Sequence, residues 1–144
     1  MTINCGFNRV LIPLLGAAVL AGCSRTSTLT REEARSHGRS TLSLTAETEM
    51  FIDYVRQGQG TRHYIEGEAN YLQEAIRDSR KELQKALPPP ATENSIQVFM
   101  TQLDFLNHEL SRIPIEIGNP AALAAAKERT LKSREILEKG NSAL

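Results

Sequence analysis

Between residues 62 and 87 the chain places Ile65, Ala69, Leu72, Ile76, Ser79, Leu83 and Ala86 at alternating spacings of four and three. That spacing keeps one stripe of a helix apolar and is the heptad signature of helices packed at shallow angles. The pattern recurs over 93–112 and just beyond, with Ile96, Phe99, Leu103, Leu106, Leu110 and Ile113. A fourth segment, about 119–140, has a thinner stripe of small residues: Leu123, Ala126, Thr130, Ser133 and Leu137. The earliest helical segment, about 31–57, has its clearest face near its end, where Met50, Phe51, Tyr54 and Val55 fall together. Its first half is weaker, because Gly38 and the Ser/Thr-rich run at 40–45 lower helical propensity.

Punctuation agrees with this division. Thr30-Arg-Glu-Glu33 matches a capping box at the start of the first helix. Gln57-Gly-Gln-Gly60 breaks the chain before the second. Pro88-Pro89-Pro90 ends the second, since proline has no N–H to continue the ladder, and Pro114 stops the third. Asn119-Pro120 reads as an N-cap followed by proline at the first helical position, and Gly140 as the closing residue of the fourth helix. The pairs Glu128–Lys132 and Glu135–Lys139 have the favourable i,i+4 order. The nearest candidate for a strand, Leu42-Ser43-Leu44-Thr45, is too short to carry a sheet. Residues 31–144 are therefore expected to form an all-α, up-and-down antiparallel four-helix bundle. A three-helix core with a loosely attached first half of helix one is the fallback.

The segment before the bundle has a different character. A polar start carrying Arg9 is followed by the apolar run Val10–Leu20, and then by Ala21-Gly22-Cys23. This is the anatomy of a secretory signal, and the run is shorter than the roughly 20 residues of a spanning helix. Leu20-Ala21-Gly22-Cys23 resembles the lipobox of bacterial lipoproteins. The resemblance implies a signal peptide over 1–22 and diacylglyceryl modification of Cys23. Residues 23–30 would then be the lipidated cysteine and a flexible tether, reaching some 20 Å at about 3.4 Å per extended residue. It further implies a membrane attachment through lipid and, because Ser24 and not Asp follows, residence in the outer membrane facing the periplasm if the organism is diderm. A coincidental buried thiol, or an ordinary signal cut elsewhere, are the competing accounts; no good A-x-A site lies nearby. The chain has 2 Cys, and with Cys5 removed and Cys23 acylated no disulfide is possible.

Composition narrows the function classes. Lys+Arg 17 against Asp+Glu 17 gives no global field to attract nucleic acid, and aromatics at 5% without tryptophan supply few stacking platforms. The 3 His lie on three different segments. His63-x-x-Glu66, Asp104–His108 and Glu33–His37 are isolated pairs, which arise freely on charged helices and read as solvated. No metalloprotease, P-loop, nucleophile-elbow, dinucleotide or haem-attachment motif occurs. The expectation is a non-enzymatic protein without catalytic, metal or cofactor residues. An envelope protein is its expected partner, and the alternative is a bundle that holds a metal or small ligand. That alternative needs polar residues on the seams, where only Ser79, Thr130 and Ser133 occur. Tyr64 and Tyr71 lie a heptad apart beside the seam of the second helix. Val98 and Phe105 lie seven apart well off the seam of the third. Either the third helix packs on two sides, the commoner arrangement, or these two residues form a partner surface.

Overall fold

The computed structural model describes residues 28–144. They form four helices in chain order: α1 (Arg31–Arg56), α2 (Arg62–Lys85), α3 (Pro90–Arg112) and α4 (Pro120–Ser142). The one β-type contact among the described residues is an isolated parallel bridge between Thr28 and Leu87. Among them, no helix is long and apolar enough to cross a membrane. The class is all-α and the architecture a helical bundle.

Cross-helix contacts give the direction of each neighbour. On the α1–α4 seam, Glu49 meets Arg134 and Asp53 meets Lys127. On the α3–α4 seam, Ser95 bonds Gly140, Gln102 bonds Ser133 and Glu109 bonds Arg129. On the α2–α3 seam, Gln73 bonds Asn107 and Arg80 meets Asp104. In each series one number rises as the other falls, so the pairs are antiparallel. α1 packs most extensively on α4 and α2 on α3, and α1 also touches α3 across the diagonal. α2 and α4 do not touch. The cross-section is therefore a rhomb with α1 and α3 at its near corners.

The first half of α1 departs from expectation. It is continuous helix, and its inward face is Ala34, Gly38, Thr41, Thr45 and Thr48, all buried. Threonine lowers propensity partly because its hydroxyl competes for backbone groups. Here each hydroxyl donates to the helix's own carbonyls: Thr41 to His37, Thr45 to Thr41 and Thr48 to Leu44, at 2.8–2.9 Å. The polar groups are satisfied internally, so a small-residue face can be buried dry. Tertiary packing overrides local preference. Both halves of the Thr30–Glu33 capping box form, with Glu33 Oε2 accepting from the Thr30 backbone N–H at 2.7 Å. Met50 is displaced from the expected face; it is 73% exposed, while Phe51, Ile52 and Val55 carry the core.

The other seams fall as expected. Ile65, Ala69, Leu72, Ile76 and Leu83 are buried on α2, while Ser79 and Ala86 of the same stripe are half-buried, Ala86 just past the helix end; all six apolar positions named for α3 and its end are buried. All five residues of the thin α4 seam are buried. Two boundaries shift. α3 begins at Pro90, whose ring suits the first helical position, three residues before 93. α4 runs through Gly140 to Ser142, so that glycine is not a terminator. A Cβ there would meet Val98 Cγ1 at 3.3 Å and Phe99 Cε1 at 3.4 Å, so Gly140 is a close-approach residue. Asn119 caps α4 by accepting from the Ala122 N–H, as its place before Pro120 implies.

α1 begins at Arg31 as expected, and packing reaches residues before it. Leu29 is buried in the core and its N–H donates to the Leu87 carbonyl at 3.0 Å. Packing among the described residues therefore includes Leu29, which lies in the stretch expected to be tether. No cysteine occurs among the described residues, so no disulfide holds the fold there.

Gly38 and Gly67 make opposite demands. A Cβ on Gly38 would lie 2.3 Å from Asn141 Oδ1 and 2.8 Å from Phe99 Cζ, whereas one on Gly67 meets nothing within 4 Å. Gly67→Ala is expected to stabilise the protein by up to about 1 kcal/mol, the helical advantage of alanine. Gly38→Ala is expected to destabilise it, because overpacking a full core costs about 1–3 kcal/mol and exceeds that gain. Urea denaturation of the two variants checks the pair; two shifts of the same sign would contradict the packing described.

Candidate functional site

Cys23, the candidate lipidation site, lies outside the described residues. Within the body, the isolated His–carboxylate pairs are committed elsewhere. Glu33 closes the capping box, Glu66 faces Arg62 at 3.7 Å and Asp104 pairs with Arg80. His63 and His108 are exposed and His37 is half-buried. Among the described residues, no three His, Cys, Asp or Glu side chains gather as a metal-ion site would require. The α4 seam hydroxyls are bonded within the bundle: Thr130 donates to the Ala126 carbonyl and Ser133 to Gln102 Oε1.

The charged contacts that matter to packing lie beside the α4 seam. Arg129 makes a bidentate pair with Glu109 of α3, at 3.0 Å from Nε and 2.7 Å from Nη2. The Glu109 side chain is almost fully buried, and its bond holds Arg129 above its ordinary pKa. Arg134 reaches Glu49 of α1 at 3.1 Å, and Lys127 bonds Asp53 one turn further along α1. Sequence patterning did not single out these carboxylates. A signal was present: Lys127, Arg129 and Arg134 flank a seam made of alanine, threonine and serine, which offers little apolar area of its own.

Glu49 is imperfectly matched. Its Oε1 is buried without a hydrogen-bond partner, while Arg134 serves the other oxygen. Burial raises its pKa above the ordinary carboxylate value; Arg134 and Lys127 oppose that rise, and Asp53 and Glu138 add to it. With the folded pKa above the unfolded one, the folded state holds the extra proton. Glu49 therefore removes stability as pH rises from the unfolded value near 4.5 through the folded one.

Val98 and Phe105 are both half-buried and lean on the core. Val98 lies beside Gly140 of α4, and Phe105 lines a groove between α3 and α4 with Thr101, Gln102, Arg129, Lys132 and Ile136. α3 packs on more than one side, touching α1, α2 and α4. The α3–α4 groove is apolar at its floor, and its two cations are occupied, Arg129 by Glu109 and Lys132 by Glu128 at 3.0 Å.

A second groove lies between α1 and α2. It has a volume of about 280 Å³ and is lined by Glu47, Met50, Phe51, Tyr54, Tyr64 and Glu68. The Tyr54 and Tyr64 rings meet at 5.5 Å between centroids, tilted by 57°. Such an aromatic pair adds about 0.5–1.5 kcal/mol beyond its buried area. Gly60, with φ of 84°, lets the connection pass close under Tyr54. Tyr64 and Tyr71 are legible in the sequence as a stripe, but the groove depends on the way α1 faces α2.

Two outcomes follow. Glu49→Gln is expected to lessen the fall in stability as pH rises above about 4.5; denaturation curves across that range check it, and an unchanged pH slope would count against a raised pKa. Replacing Val98 and Phe105 together by serine is expected to lower the thermal midpoint, since half-burial stands for about half of the 1.5–3 kcal/mol of a fully buried side chain. A midpoint equal to the wild type would assign both residues to a free surface. In comparisons with known proteins, no family model, no curated protein and no solved structure matches this chain.

Proposed function

We propose that the chain is a bacterial envelope lipoprotein, anchored by lipid on Cys23, whose helical body is a non-enzymatic interaction module facing the periplasm. The observation that carries this reading is the apolar run Val10–Leu20 closing on Ala21-Gly22-Cys23. Lipid chains contribute about 0.8 kcal/mol per buried methylene, so one chain holds marginally and two or more hold firmly. A diacylglyceryl cysteine meets that requirement without a spanning helix.

The body supports the reading by its construction. Leu29 lies in the core, only six residues after Cys23. A link of that length spans at most about 20 Å at 3.4 Å per residue. In this reading the bundle sits close above the bilayer with its Leu29–Leu87 end toward it. The α1–α2 connection, at residues 57–61, is at the opposite end.

Cys23→Ser is the direct test. The wild type is expected to take up a labelled fatty acid and mature to a shorter chain. The variant is expected to lose the label and accumulate as the unprocessed precursor. Equal labelling of both would overturn the lipoprotein reading.

A further inference from the structure

We infer that the α1–α2 groove at the end of the bundle away from Leu29 docks a basic, apolar segment of a second protein. This deepens the proposed function by naming the surface and the chemistry of its partner.

Three features of the groove converge. The first is its concentration of contact-forming side chains. The chain has 3 Tyr, and all lie here: Tyr54 and Tyr64 in the groove wall and Tyr71 two turns further along the same face of α2. Met50 is 73% exposed beside them and Tyr71 is 64% exposed. Tyrosine presents a rigid amphipathic surface at low entropic cost, and methionine a polarisable one that adapts to a partner's shape. Both are more exposed than core packing requires, and they adjoin one another across two helices.

The second feature is charge. The groove is lined by two carboxylates, Glu47 and Glu68, and by no cation. Glu68 has no ion-pair partner among the described residues, and Glu47 receives only the Ser43 hydroxyl, at 3.2 Å. The nearby cations are engaged: Arg56 by Asp53 and Arg62 by Glu66. The α3–α4 groove lacks this feature, because its cations already have their own carboxylates. Unpaired carboxylates beside tyrosine faces select lysine or arginine, which bonds the carboxylate and lies over the ring. A second copy of this chain meeting the same surface would bring Glu47 and Glu68 against their own counterparts, which like charges disfavour.

The third feature is shape. Glu47, Met50 and Tyr54 run along α1 and Tyr64, Glu68 and Tyr71 along α2, each at intervals of three and four. Phe51 forms an apolar floor between them. Two antiparallel ridges over such a floor suit one amphipathic helix laid lengthwise, its apolar side down and its basic flanks toward the rims.

The test uses the full chain in detergent micelles, labelled at methionine methyl and tyrosine ring carbons. Three synthetic helical peptides of about four turns serve as probes: leucine face with lysine flanks, the same face with glutamate flanks, and lysine flanks with serine in place of leucine. The lysine–leucine peptide is expected to shift Met50 and the tyrosine signals saturably. Met100, which lines the separate α2–α3 groove, should stay fixed. The other two peptides should bind about tenfold more weakly or less, as should the lysine–leucine peptide to Glu47→Gln/Glu68→Gln. Those two positions make no interhelix bond, so the variant's thermal midpoint should match the wild type. Equal affinity for the glutamate–leucine peptide, shifts confined to another groove, or undiminished binding to the double variant would each overturn the proposal. Concentration-dependent shifts of the same signals without peptide would assign the surface to a second copy instead. Binding is read on the purified chain, so failure here and failure of lipid labelling at Cys23 are independent.

Discussion

The close approach of α1 to α3 and α4 at Gly38 governs the cross-section of this bundle. With no side chain at that position, the Phe99 ring and the Asn141 amide occupy the space a Cβ would need. The neighbouring positions on the same face are alanine and threonine, and the half of α4 they face, from Ser133 to Asn141, carries small residues at Ser133 and Gly140 beside Leu137. Small residues on both surfaces shorten the distance between axes, which maximises dispersion contact per residue but leaves little apolar area to remove from water. The larger apolar side chains are concentrated on α2 and α3 instead, from Leu72 and Ile76 to Phe99 and Leu110. The two halves of the core thus differ in kind: one is closely approached backbone, the other interlocked leucine, isoleucine and phenylalanine.

A close, small-residue interface places polar groups where water cannot reach, and each must then find a partner. The threonine hydroxyls solve this within α1 by bonding to the preceding turn. The carboxylates meet it between helices, where Glu49, Asp53 and Glu109 each receive a cation from α4, although one oxygen of Glu49 stays unpartnered. Such pairs add modest stability when desolvation is counted, but removing one partner is costly because the other remains buried and charged. Their main effect is therefore on register. They define how far α4 can slide along α1 and α3, a choice that its thin and nearly uniform seam leaves open.

How much of this was legible in the sequence follows from the same division. Where apolar residues are large and periodic, as on α2 and α3, spacing alone identified the buried face. Capping chemistry was equally legible, because Thr30–Glu33 and Asn119-Pro120 act within one turn. The first half of α1 was obscured because Gly38, Thr41 and Thr45 weaken a helix in isolation and become favourable only against a neighbour. Met50 was misassigned because its residue type suits a core, while the actual face turns past it to Ile52. Gly140 read as a stop because glycine most often ends helices, yet here it admits Val98 and Phe99. The α1–α2 groove was hidden for a different reason. Its residues are recognisable singly, but a groove is a property of two helices facing each other.

That facing is itself a consequence of the small-residue contact. α1 commits most of its surface to α4 and reaches α3 across the diagonal, while α2 packs chiefly on α3. The seam between α1 and α2 is left with less shared surface than the α1–α4 or α2–α3 seams. Tyr54 and Tyr64 meet across it near the 57–61 connection, where two glycines at positive φ allow the chain to turn tightly. Beyond that meeting point Glu47 and Met50 of α1 face Glu68 of α2 across the groove, and Phe51 forms the floor between them. An apolar trough between two helices, rimmed by carboxylates, is therefore what remains when α1 is drawn toward the opposite side of the bundle. The packing that closes one face of the protein opens the other.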